Sequence, residues 1–380
     1  MPHLTQLQGF ERLSKRSTFS AIYFLIWRDV MAVDRFPEEY KKVKSALRSR
    51  SFKDPLKSEM KDLKGCLQAR GPKTDMGPKL DALRTKLKTG DEAANILAAA
   101  GIAEGSNTAL STKQVENVAS IKFLRHMYLG ASTGAQTVWV HSSPKTWKKY
   151  GWEIIKAAGT SSTSLKSKLG DKEEFFDADT RSKLCEATRL GATWIQKTLL
   201  VLSEVETKPE AREKLDRWFA PSDDKVNKTV KKLEKGFKKI QSTLNDTHVV
   251  LTDHPPERGD SSKEYTEAYV MVAAHKPKTV YIEQALSSNF DISVLHDMKK
   301  NWARVIVHEC THLDLSTTDE QYAWKGIKPG TKITAEQAIK NADSWAFFAA
   351  DCGGALVAGD ITRALNGTGG SLTKLDANWN

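Results

Sequence analysis

No stretch of the sequence approaches the roughly 20 consecutive apolar residues that a bilayer-spanning helix needs. The best apolar run is Phe19–Trp27 (FSAIYFLIW), with Arg12, Lys15 and Arg16 before it and Arg28 and Asp29 directly after. It is short and aromatic, and no small-x-small cleavage site precedes the charges, so it reads as a stripe packed on a core rather than a cleavable signal. Cysteine is scarce as well: Cys66, Cys185, Cys310 and Cys352 are the only four in 380 residues, and none makes a C-x-x-C pair. That excludes a structural zinc knuckle and a disulfide scaffold. RNP-type aromatic motifs, paired zinc fingers, an Arg-rich stripe and internal repeats are also missing. The formal net charge of +11 is therefore assigned to a lysine-rich solvated surface, with no nucleic-acid partner expected.

Hydrophobic residues make up 39% of the chain, enough to bury a sizeable core and to exclude a wholly disordered chain. The length suits two domains of about 100–200 residues each. The first half is lysine-rich, with apolar residues at helical spacing over Glu38–Arg50, Pro55–Gln68 and Pro78–Lys88, an alanine-rich helix over Asp91–Ala103, and a possible short strand at Thr137–His141. The Gly/Ser/Thr-rich stretch Gly159–Ser167 and the charged Lys168–Asp179 form the best linker. Beyond it, helices are expected at Thr180–Glu204, Ala211–Phe219 and Asp223–Asn245. Strands are expected at Thr247–Thr252, Ala268–Ala274 and Thr279–Ile282, and helices again at Val294–Leu313 and Ala335–Ala350. The expectation is an α+β fold: a mostly α-helical region over 1–175, then a domain of helices and a small sheet over 176–380.

The chemistry concentrates at His308-Glu309-Cys310-Thr311-His312, entered through the apolar Val305-Ile306-Val307. Residues four apart on a helix share a face, so His308 and His312 can offer two imidazoles to one metal ion. Zinc takes nitrogen ligands at about 2.0–2.1 Å and, in catalytic sites, keeps one position open for water. Glu309 stands where it can take a proton from that water while a peptide carbonyl is attacked. Two histidines and a glutamate on a buried helix are costly unless a metal satisfies them. Cys310 falls off the metal-facing side, and it can pair with Cys352 if their helices are neighbours. No histidine follows His312, which excludes a third histidine ligand after the helix. Asp314 sits two residues from His312 and is turned away.

The residues after the helix, Ser316-Thr317-Thr318-Asp319-Glu320-Gln321-Tyr322-Ala323, resemble the Gly-Thr-x-Asp-x-x-Tyr-Gly pattern of the aspzincin, or deuterolysin-like, metallopeptidases. Thr317, Asp319 and Tyr322 match, while Ser316 and Ala323 stand where the family has glycines and leave less freedom at the turn. The resemblance implies that Asp319 is the third zinc ligand and that the Tyr322 hydroxyl stabilises the oxyanion. On the residues alone, Asp319 can equally be a cap and Tyr322 a core aromatic. A second segment, Asn341-Ala342-Asp343-Ser344-Trp345-Ala346-Phe347-Phe348, resembles the family stretch whose aspartate, with a glutamate three residues later, lines the pocket for a lysine in lysine-specific members. Asp343 is present and the glutamate position is Ala346. This implies a substrate-binding Asp343 with a preference for a basic residue but no strict lysine specificity. The alternative role for Asp343 is to orient a zinc ligand or a loop. The resemblance spans about residues 180–355 and implies a zincin-like domain there.

These readings converge on a zinc-dependent endopeptidase acting on protein or peptide substrates. Residues 1–175 are then a propeptide-like intramolecular inhibitor or a delivery module. The chain is expected to be secreted or exported by a non-classical or contact-dependent route, as bacterial toxins and effectors of this type are. The competing reading is a non-catalytic basic binding protein that retains a metal site. The intact set of His308, Glu309, His312, Asp319 and Tyr322 favours the enzyme.

Overall fold

The computed structural model of the protein describes residues 35–48, 119, 123, 138–150, 173–245, 249–260, 266–271, 277–287, 294–368 and 379. The helices expected at Pro55–Gln68, Pro78–Lys88 and Asp91–Ala103, the Phe19–Trp27 stripe and the Gly159–Ser167 linker lie outside them. The described helices are α1 (Phe36–Arg48), α2 (Ala178–Ser203), α3 (Pro209–Phe219), α4 (Val226–Asn245), the short α5 (Gln284–Ser287), α6 (Met298–Leu315), α7 (Ala335–Lys340), α8 (Ala342–Cys352) and α9 (Ala358–Asn366). The strands are β1 (Trp139–His141), β2 (Val249–Thr252), β3 (Ala268–Val270) and β4 (Lys278–Ile282). They form one sheet in the order β1-β2-β4-β3, with β1, β2 and β4 parallel and β3 antiparallel at the edge. The α+β expectation holds, with a fourth strand, β1, supplied from between α1 and α2. Among the described residues no helix is long and apolar enough to cross a membrane.

Local chemistry explains where the elements start and stop. The Asp177 side chain caps α2 by accepting from the Thr180 amide at 2.7 Å, and Asp297 caps α6 by accepting from the Lys300 amide at 2.9 Å. Each cap satisfies an amide that the first helical turn leaves orphaned. Pro209 opens α3, where its missing N–H costs nothing. β2 and β4 are short apolar runs buried almost throughout, as strands covered on both faces should be.

α6 lies at the centre, packed against α2, α4 and α8 and against β3 and β4. Its neighbours come unusually close at glycines. Gly191 of α2 faces Val307, and a Cβ on Gly236 of α4 would stand 2.6 Å from the ring of Trp345 in α8. Every residue of α8 is buried, the mark of a helix inside a core rather than on its surface. The end of α3 closes over it. The indole N–H of Trp218 and the guanidinium of Arg217 donate to Asp351 Oδ2 at 2.8 and 2.6 Å, while Phe219 meets Trp345 and Phe348 edge-on. The segment after β1 is fastened by Arg258, which donates to the carbonyls of Ser143 at 2.9 Å and Trp147 at 2.8 Å and pairs with buried Asp253. α1 rests on the sheet, with the Phe36 amide donating to the Tyr281 hydroxyl at 3.3 Å.

One expectation is corrected. The continuous helix expected over Ala335–Ala350 is two helices, α7 and α8, broken at Asn341, whose backbone is extended. The apolar spacing runs through the break, but the backbone there pairs with the loop after α6 instead. The Thr318 amide donates to the Lys340 carbonyl at 2.8 Å, and the Ala342 amide donates to the Thr318 carbonyl at 3.0 Å.

Gly236→Ala separates two opposing effects. Alanine favours an exposed helix by about 1 kcal/mol over glycine, whereas overpacking a filled core costs about 1–3 kcal/mol. With Trp345 buried at 1% exposure, the substitution is expected to lower stability by up to about 2 kcal/mol in urea unfolding. A higher midpoint would show that α4 and α8 are not packed as described.

Candidate metal centre

α6 is buried nearly all round, yet Asn301, Arg304, His308 and His312 make a polar stripe at spacings of three, four and four. The helix stops at Ser316, whose φ of 54° is left-handed. A residue with a Cβ is disfavoured there by roughly 1–2 kcal/mol, which is the physical content of a serine at a position where the family pattern has glycine. Ala323, at the other such position, is not among the described non-glycine residues with positive φ. The reversal at Ser316 carries the Thr317 carbonyl back under His312. The loop then hangs on the Asn341 break, where the Gln321 amide donates to Asn341 Oδ1 at 3.1 Å, and this brings Asp319 over the two histidines.

Three donor atoms meet there. His308 Nε2 lies 3.1 Å from His312 Nε2 and 3.1 Å from Asp319 Oδ1, and His312 Nε2 lies 3.3 Å from Asp319 Oδ1. Among the described residues these three are the group able to hold a metal ion. Tetrahedral bonds of about 2.0–2.1 Å space their ligand atoms about 3.3–3.4 Å apart, so the donors already outline one face of a zinc tetrahedron. The tautomers agree. His312 Nδ1–H donates to the Thr317 carbonyl at 2.8 Å, and His308 Nδ1–H donates to Asp343 Oδ1 at 2.7 Å. Both Nε2 lone pairs therefore point inward, the arrangement in which metal-ligating histidines are usually held. Two lone pairs and a carboxylate at this distance repel unless positive charge lies between them, and the electrostatics report that demand. Burial alone depresses the His308 imidazole, but Asp319 and Asp343 outweigh it and lift it well above its ordinary value. Burial likewise depresses His312, and its hydrogen bond to Asp319 leads the forces that raise it. Burial pushes up Asp319, and His308 with His312 overrides that and holds it ionised far below the usual carboxylate range. The residues fit Zn²⁺.

Glu309 is 5% exposed, and its Oε1 lies 3.9 Å from His308 Nε2, on the metal side of the helix. Burial raises its carboxyl above the usual range against the pull of the two histidines, which suits a group that must accept and release a proton. Tyr322 is 41% exposed; its hydroxyl donates to Asp319 Oδ2 at 3.0 Å, and its ring lies nearly parallel to that of His308. It is no core aromatic. Asp314 is on the other side of the helix, paired with Lys278 and accepting from Thr243 Oγ1 at 2.9 Å. Cys310 and Cys352 are both buried free thiols.

Asp343 requires a correction. Instead of lining a substrate pocket, it is 2% exposed behind His308. Its Oδ1 accepts from His308 Nδ1 and, at 3.3 Å, from Arg304, and its Oδ2 accepts from the Ala323 amide at 2.8 Å. Both oxygens are engaged and Ala346 beside it is fully buried, an arrangement that suits the alternative role of orienting His308. Arg304, Asn301 and Glu267 join it in one network that sequence reading missed. The available signal was a lone arginine in the apolar run before His308, one turn away on the same face.

Residues 204–350 match the model of the aspzincin family, described as lysine-specific metallo-endopeptidase. The matched segment runs from the end of α2 into α8 and contains every residue of the centre. It supports the family resemblance of the two motifs and, in general terms, a zinc metallo-endopeptidase. No curated protein matches the chain.

Asp343→Asn keeps the shape of the side chain and removes its charge. Zinc affinity, measured by chelator competition, is expected to fall roughly 10–100-fold with the fold intact. An unchanged zinc affinity with a raised KM would return Asp343 to the substrate side.

Proposed function

We propose that this aspzincin segment makes the protein a zinc-dependent endopeptidase, with His308, His312 and Asp319 holding the metal. The observation that carries the reading is the convergence of their three donor atoms within 3.1–3.3 Å, with the carboxylate of Glu309 beside them at 3.9 Å. Zn²⁺, if held by these three residues, would supply Lewis acidity for a peptide carbonyl and for the attacking water. Glu309 accepts the proton that the attacking water loses and delivers it to the leaving amine. Tyr322, exposed at the rim, turns its hydroxyl from Asp319 to the carbonyl oxygen as negative charge develops there. Asp343 and the Thr317 carbonyl hold the imidazoles so that both Nε2 atoms stay directed at the metal.

A preference for a basic residue through Asp343 does not enter the proposal, because that carboxylate already serves His308, Ala323 and Arg304. Residues 1–175 keep two readings, an intramolecular restraint on the site or a delivery module for an exported enzyme. The described pieces of that region, α1 and β1, are fastened to the sheet.

Purified protein is expected to hold about one zinc per chain by elemental analysis, and Glu309→Gln to keep the metal while losing peptide cleavage. A folded chain without metal affinity, or cleavage by the variant at the wild-type rate, refutes the assignment. Tyr322→Phe is expected to lower kcat by about 10²–10³ at unchanged zinc content. A near-normal kcat would remove Tyr322 from the chemistry.

A further inference from the structure

One buried carboxylate, one half-buried carboxylate and a half-buried guanidinium lie together behind His308. The Arg304 side chain is 11% exposed, that of Glu267 17% and that of Asp343 3%. Arg304 pairs through Nη2 with Glu267, donates through Nη1 to Asp343 Oδ1 at 3.3 Å, and donates from Nε and Nη2 to Asn301 Oδ1 at 3.1 and 2.9 Å. Asn301 in turn donates to Glu267 Oε1 at 2.6 Å. Every nitrogen of the guanidinium is thus engaged, and the network reaches from Glu267, just before β3, through α6 to Asp343 in α8. A buried carboxylate without a partner is strongly disfavoured, and two close together more so. Arg304 neutralises one charge of the pair. The one negative charge left over faces the Nδ1–H of His308.

We propose that Arg304 is a positioning residue for the metal centre. By fixing the Asp343 carboxylate between Glu267 and His308, it holds the His308 ring with Nε2 directed at the metal. Resting on the zinc reading above, this extends the centre beyond its ligands to a half-buried arginine one turn earlier on the same helix. The planar fork matters, since it reaches Glu267, Asn301 and Asp343 from three separate nitrogens, a span that the compact ammonium of lysine lacks. The same contact gives Asp343 an internal cation, so the site supplies from its own helix the positive charge that a basic substrate side chain would otherwise bring.

The test uses the full chain and zinc alone, by chelator competition, with the visible spectrum of the Co²⁺-substituted protein as a second readout. Arg304→Leu is expected to bind zinc about 10-fold more weakly, in the range seen for residues that orient a ligand, with a changed Co²⁺ spectrum. Arg304→Lys, which restores charge and one hydrogen bond, is expected to recover part of the loss. If Arg304→Leu does not fold, Glu267→Gln is read in its place: it removes the charge that anchors the guanidinium to the segment before β3, and weaker zinc binding is again required. A folded variant with wild-type zinc affinity and Co²⁺ spectrum, altered only in thermal stability, makes Arg304 a purely structural residue and overturns the proposal. A wild-type chain that binds no zinc overturns the zinc reading itself, and this proposal with it.

Discussion

Three electron-rich atoms held 3.1–3.3 Å apart on and above a buried helix are the constraint around which the rest of the protein is arranged. Water would relieve their repulsion, but His308 is 5% exposed and cannot borrow much of it. Charge from a metal can, and a zinc tetrahedron has nearly the spacing that the donors already show. The fold must then hold α6 and the following loop so firmly that the three atoms keep this spacing.

That rigidity comes from packing. α2, α4 and α8 enclose α6, and glycines at the crossings remove the side chains that would keep the helices apart. α8 is clamped from its far side by Arg217 and Trp218 on Asp351, so the Asp343 it carries at its start is fixed to the core. The third ligand arrives differently, on a loop that turns at a left-handed Ser316 and pairs with the break at Asn341. One half of the centre is thus positioned by helix packing and the other by a short backbone pairing, and Asp343 joins them by bonding both His308 and the amide of Ala323.

The legible parts of the sequence were those governed by local spacing. The helix bearing His308 and His312 follows from a four-residue interval and an apolar approach. The absence of a later histidine excluded a third histidine, the family resemblance pointed to Asp319, and its Oδ1 lies 3.1 and 3.3 Å from the two Nε2 atoms. The strands expected at Thr247–Thr252 and Thr279–Ile282 overlap the observed Val249–Thr252 and Lys278–Ile282. What misled was equally specific. Apolar spacing runs straight through Asn341, because the residues on both sides face the same core, and only the loop that pairs there reveals two helices. Asp343 carried two readings, and a motif cannot say on which side of a histidine a carboxylate lies.

By itself the sequence determined the chemistry available: two imidazoles on one helical face, a glutamate beside them, and an aspartate and a tyrosine within reach in the following loop. These depend on intervals of a few residues, which helix geometry converts directly into shared faces. The tertiary structure decided where each carboxylate lies. Asp319 reaches the metal face because a loop pairs with residues about twenty positions later, and Asp343 lies behind His308 because α8 is buried against α6. Its partners Arg304 and Glu267 come from a different helix and from the start of a strand. Contacts between such distant segments are set by packing and by pairing of buried charge, and no local interval encodes them.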